Sequence, residues 1–113
     1  MRQQLDIFDA ARARGERDVA MERVNANADA DWKRFVTALV VEIAKKYSEF
    51  TTDDVERLRI ARGGPSTPEG RAYGPIMLEA ARRGVCRKTG RVRNSELVSN
   101  HGRPKQIWES LIR

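Results

Sequence analysis

Between Trp32 and Tyr47 the apolar residues step by three and four: Trp32, Phe35, Val36, Leu39, Val40, Ile43, Ala44 and Tyr47. That spacing is one face of an α-helix. It predicts a core helix from about Ala30 to Lys46. Asp29 or Asp31 is placed to cap its N-terminus, and Lys45 and Lys46 suit the dipole at its C-terminus. A stripe this apolar has to be covered by other elements, and 113 residues is the size of one domain. The longest apolar run, Phe35 to Ala44, is interrupted by Thr37 and Glu42, far short of the ~20 residues that span a bilayer.

The elements around that helix follow from caps and breakers. Residues 1–9 read as an N-terminal arm, and residues 10–28, rich in Ala, Arg and Glu, as an accessory helix with a weak stripe of Val19, Met21 and Val24. After the core helix, Phe50-Thr51 reads as a short extended link. Thr51 or Thr52 then caps a second helix with Asp53 and Asp54 in its first turn and Val55, Leu58 and Ile60 on its buried face. Gly63-Gly64-Pro65-Ser66 ends it. Thr67-Pro68-Glu69 opens a third helix that runs to about Arg83 and stops at Gly84. Its apolar face is Tyr73, Ile76, Met77, Ala80 and Ala81, with Pro75 delaying the start to near Arg71 or kinking the helix. Val85–Thr89 and Pro104–Glu109 then read as two strands around a Gly-, Asn- and Ser-containing loop. The order is helix, short strand, helix, turn, helix, strand, loop, strand. The expected fold is α+β and mostly helical: a winged helix-turn-helix over residues 29–113, preceded by the extra helix and the short arm.

Charge is distributed unevenly along this order. The net charge is +6, yet residues 1–50 hold nine Lys/Arg and nine Asp/Glu. Between Arg82 and Lys105 eight basic residues face Glu96 alone. A basic hairpin beside a helix-turn-helix suits the phosphates of double-stranded DNA. Arg71, Arg82, Arg87, Lys88, Arg91, Arg93, Arg103 and Lys105 are the expected DNA-binding residues. If the third helix buries its apolar face, it presents Arg71, Gly74, Pro75, Leu78, Glu79 and Arg82, a modest surface for reading bases because Glu79 repels phosphate and Leu78 is apolar. A winged helix used for protein contact is the alternative.

Nothing in the chain suggests catalysis. The acids are dispersed over helices, one Cys and one His do not make a zinc site, and Gly63-Gly64-Pro65 lacks the Lys and Ser/Thr of a phosphate-binding loop. Cys86 reads as a small buried strand residue, and His101 as a residue that contacts a phosphate or shapes its loop. No enzymatic activity, cofactor, metal, small-molecule substrate or membrane partner is expected. The start of the chain lacks a signal peptide's apolar stretch, and a lone cysteine makes no internal disulfide, so a cytoplasmic location is expected.

The start carries a motif, Gln4-Leu5-Asp6-Ile7-Phe8. It resembles the peptide Gln-Leu-(Ser/Asp)-Leu-Phe with which bacterial proteins bind the replicative sliding clamp, with Ile7 a conservative change. In an arm, Leu5, Ile7 and Phe8 can anchor in an apolar pocket while Gln4 satisfies polar groups nearby. The same three residues can instead cap the domain's own core. Together with Phe50-Thr51-Thr52-Asp53-Asp54-Val55, Arg71-Ala72-Tyr73-Gly74, Met77 with Ala80-Ala81, Thr89-Gly90-Arg91 and His101-Gly102-Arg103-Pro104 leading to Trp108, the motif resembles small bacteriophage and prophage winged-helix proteins that carry such a peptide. That resemblance implies an accessory protein of DNA replication that binds DNA and docks on the bacterial clamp, in the host cytoplasm. An inhibitor of a host protein with the winged helix as scaffold, and a phage transcriptional regulator, are the other readings.

Overall fold

The apolar stripe is realised as α1, residues 28–46, whose Trp32, Val36, Leu39, Val40, Ile43 and Ala44 are all buried. The computed structural model describes residues 28–113. The expected arm, its peptide Gln4–Phe8 and the accessory helix up to residue 27 lie outside the described residues. Asp29 and Asp31 both fall within α1, so neither is its N-cap. Tyr47 follows the last helical residue and is 49% exposed, so the helix ends before it can join the stripe.

Two residues later the chain is extended as β1, Glu49–Phe50, with Phe50 wholly buried. Thr51 then takes the cap position of α2, Thr52–Ala61, and its N–H donates to the Asp54 carboxylate at 2.8 Å. Val55 is buried and Leu58 half-buried, but Ile60 is 58% exposed. The expectation of Ile60 in the buried face is corrected by geometry: five residues beyond Val55 lies about 140° round a helix of 3.6 residues per turn.

Helices α2 and α3 (Tyr73–Arg82) end in the same way. Gly63 N–H donates to Ile60 O and Gly64 N–H to Arg59 O, and Gly84 N–H donates to Ala81 O and Val85 N–H to Ala80 O. Gly63 and Gly84 have φ of 64° and 78°, the left-handed conformation this double hydrogen bond requires. The start of α3 differs from the expected one. A 3₁₀ turn, Gly70–Ala72, precedes it, and Thr67 is not its cap, because tertiary partners take the hydroxyl. Pro75 is the third residue of α3, where the missing N–H has no helical acceptor to lose, so no kink is needed.

After Gly84 the chain forms β2, Cys86–Asn94, and β3, Pro104–Ser110. The sheet is antiparallel in the order β1-β3-β2. Strand β2 therefore continues five residues beyond its expected end. The architecture is α+β: three α-helices and a three-stranded sheet among the described residues, with Asp31–Arg113 one compact unit. Phe50, Val55, Tyr73, Ile76, Met77, Ala80, Cys86 and Trp108 close over the α1 stripe. Trp32 meets Tyr73 edge-on at 5.1 Å between ring centres. Among the described residues no helix is long and apolar enough to cross a membrane.

Candidate nucleic-acid interface

The basic residues lie mainly on the β2–β3 hairpin, so its register decides which of them meet. Arg87 stands opposite Glu109 and Lys88 opposite Trp108; beyond an irregularity Val92 stands opposite Gln106 and Arg93 opposite Lys105. Between these blocks Thr89, Gly90 and Arg91 face Ile107 alone. Such a bulge bends the strand and increases its twist. It is held locally: Thr89 Oγ1 donates to Ile107 O at 2.9 Å, Arg91 N–H donates to Thr89 Oγ1 at 3.1 Å, and Gln106 Nε2 donates to Arg91 O at 3.2 Å.

The bulge divides the hairpin electrostatically. Before the bulge Arg87 pairs with Glu109 at 2.7 Å, and within it Arg91 pairs with Glu49. Lys88 lies over the Trp108 ring, 5.9 Å from its centre. On the far side Arg93, Arg103 and Lys105 have no carboxylate within 4 Å among the described residues. Arg93 and Lys105 are direct cross-strand partners, and like charges so placed repel. An anion between them would relieve that repulsion.

The far end of the hairpin is tied to α2. Ser95 N–H donates to Arg103 O at 2.8 Å, closing the loop. Asp53, 5% exposed, accepts from Ser95 Oγ at 2.6 Å, Glu96 N–H at 3.2 Å and Asn100 Nδ2 at 3.2 Å. Arg57 adds an ion pair to Glu96 at 2.6 Å. The loop also approaches the start of α3, since a methyl group on Gly70 would sit 3.8 Å from Asn100 Oδ1. Arg71, exposed and also without a carboxylate partner among the described residues, is therefore brought towards the far end of the hairpin. A cleft of about 540 Å³ runs between these parts, with Asp53, Glu69, Tyr73, Asn100 and Lys105 in its lining.

The turn before α3 is fixed from beneath. Glu56 accepts from Thr67 Oγ1 at 2.7 Å and from Arg59 Nε at 2.5 Å, while Trp32 Nε1 donates to Thr67 Oγ1 at 2.9 Å. The Arg59 guanidinium donates in addition to Gly64 O at 3.2 Å and Pro65 O at 3.1 Å. The outward face of α3 then presents Gly74, Pro75 and Leu78, the last 57% exposed. Arg82 and Arg83 both bond Glu79, at 2.6 and 2.9 Å. The Arg82 guanidinium, with Arg83 beside it, holds the Glu79 carboxyl below its ordinary range, so the cluster is ionised and paired at neutral pH.

Of the eight expected phosphate-binding residues, Arg71, Arg93, Arg103 and Lys105 thus have no carboxylate partner among the described residues, Arg82, Arg87 and Arg91 are ion-paired, and Lys88 rests on Trp108. Asp53 and the Glu56–Arg59–Thr67 group were not legible as site residues. Asp53 carries the local signature of a first-turn helix acid and nothing more. Cys86 is wholly buried at the base of the hairpin, its thiol pushed up to about 11 by burial, and His101 is exposed in the far loop at φ 50°. No protein family, curated protein or solved structure matches the chain.

Proposed function

We propose that Asp31–Arg113 is a winged helix-turn-helix that binds double-stranded DNA, with α2 and α3 as the helix-turn-helix and the β2–β3 hairpin as the wing. The observation that carries this reading is the split of charge along the hairpin. A solvated basic surface has no reason to place Arg93 opposite Lys105, with Arg103 nearby, while Arg87 before the bulge and Arg91 within it are neutralised. Phosphates of a duplex would compensate that end of the hairpin and Arg71. Binding energy is then assigned chiefly to the wing, since the exposed face of α3 offers few donors to base edges.

The test is a salt titration of duplex binding by fluorescence anisotropy. Four phosphate contacts predict a slope of log K against log salt of roughly −3 to −4, at about −0.9 per phosphate. Arg93→Ala/Lys105→Ala lowers its magnitude by about 2, whereas Arg87→Ala, already paired to Glu109, changes it little. Absence of duplex binding, or binding that ignores salt, overturns the reading.

The replication setting is a proposal supported by Gln4, Leu5, Asp6, Ile7 and Phe8 alone. Recovery of bacterial sliding clamp by the wild-type chain and its loss with Gln4→Ala/Phe8→Ala would support it, and equal recovery would remove it. The second reading, a scaffold for protein contact, is favoured by the apolar Leu78 beside Gly74 and Pro75 on α3. Clamp recovery without any duplex binding would select it.

A further inference from the structure

The most exposed large apolar side chain among the described residues is Val98, at 89%, and it sits in the far loop of the hairpin. This loop is held in place. Val98–Asn100 forms a 3₁₀ turn in which Asn100 N–H donates to Leu97 O at 3.0 Å and His101 N–H to Val98 O at 3.1 Å. Asn100 Nδ2 anchors the turn to Asp53 Oδ1 and to Ser95 Oγ, each at 3.2 Å. The chain thus presents an apolar β-branched residue to water on a fixed support, in the loop whose stems carry Arg93, Arg103 and Lys105 and in the lining of the cleft that holds Lys105 together with Asp53, Glu56 and Glu69.

We propose that this loop enters the minor groove of the duplex and that Val98 wedges against a base step, so that the protein selects DNA by the ease with which it unstacks. The inference rests on the DNA-binding reading. Its occupant follows from charge: the cations on the stems of this loop attract a polyanion, and an apolar tip at its end fits a groove whose walls are phosphate and whose floor is base edge. The face of α3 agrees with it. Gly74, Pro75 and Leu78 cannot hydrogen-bond to bases through their side chains, so α3 contributes little base readout and discrimination falls chiefly to the shape and deformability of the duplex. A mismatched pair, or a flexible pyrimidine–purine step, offers the wedge its lowest unstacking cost.

The experiment uses the full chain with two fluorescently end-labelled duplexes, one matched and one with a central mismatch, reading affinity by anisotropy and bending by energy transfer. The wild type is expected to bind the mismatched duplex about tenfold more tightly than the matched one, and to bring its ends closer. Val98→Ala removes exposed apolar surface and no charge. It is expected to lose most of that preference and the bend while keeping the salt slope of the wild type. Asp53→Asn, which weakens the support of the loop, is expected to lower the preference in the same direction. Wild-type binding without preference or bending overturns the wedge and leaves the DNA reading standing, as does Val98→Ala that retains both. No binding to either duplex overturns the DNA reading itself, and the wedge with it.

Discussion

Replacing Glu56 by Gln tests whether the half-buried Glu56–Arg59 pair beneath the turn organises α3. Glu56 and Arg59 are 15% and 14% exposed, so their attraction is only weakly screened by solvent. Glu56→Gln keeps the size of the side chain. One amide oxygen remains to accept from Thr67, but the amide nitrogen then meets the Arg59 guanidinium donor to donor. One charge-assisted hydrogen bond is lost and a nearly buried cation is left with only the Gly64 and Pro65 carbonyls. The expected loss is about 2–4 kcal/mol, the range for removing one partner of a buried pair after allowing for slight exposure. For a unit of this size that lowers Tm by roughly 10–25 °C. Urea unfolding followed by the fluorescence of the buried Trp32 and Trp108 reads the stability directly. Adding Arg59→Met to Glu56→Gln removes the stranded cation and should recover about half of the loss, so the two changes couple rather than add. A Glu56→Gln chain within about 0.5 kcal/mol of the wild type, or a strictly additive double variant, would show that the pair behaves as a solvated surface pair and refute the reasoning.

Three further outcomes are expected. Gly64→Ala places a methyl group 2.2 to 2.6 Å from atoms of the half-buried Phe35 ring, so the ring must move, at a cost of about 1–3 kcal/mol in urea unfolding; unchanged stability would mean the turn has room the geometry does not show. Burial pushes the Cys86 thiol up to about 11 and holds the Tyr73 hydroxyl well above the usual tyrosine range, so both protons are bound more tightly in the folded chain. Stability from Cys86 is then whole below about pH 8.5 and lost by about 2 kcal/mol as pH rises towards 11; urea midpoints that stay flat from pH 8 to 10.5, or that fall equally in Cys86→Ala, count against this. Phe50→Ala empties a fully buried position between β3 and α1 and should cost about 3–5 kcal/mol, leaving little cooperative unfolding by circular dichroism; a cooperative transition near the wild-type midpoint would contradict that burial.

The parts of the fold that could be read in the sequence are those whose determinants are local. The three- and four-residue steps of α1, the Thr51 cap and the stops at Gly63 and Gly84 each depend on neighbours within a few positions. The misreadings have the opposite character. Thr67-Pro68-Glu69 carries a helix-start signature, yet Trp32 and Glu56 claim the Thr67 hydroxyl from 35 and 11 residues away. The outer half of β2 was unreadable for a different reason. Gly90 to Asn94 are exposed throughout, so the strand has no buried face to impose alternation, and its pairing with β3 alone defines it.

The same distinction governs the candidate interface. A count of basic residues along the hairpin treats Arg87 and Arg93 as equals, although one is paired across the sheet to Glu109 and the other faces Lys105. The bulge at Thr89–Arg91 produces this difference. Register sets Arg87 opposite Glu109 before it, and the two extra residues of β2 reset which side chains meet after it. Without the bulge Arg91 would fall opposite Lys105 and Arg93 opposite Arg103. The bulge therefore sets which cations of the hairpin the protein pairs with its own carboxylates and which, among the described residues, have none. Gly90, at φ 81° within it, lets the backbone make that offset without strain.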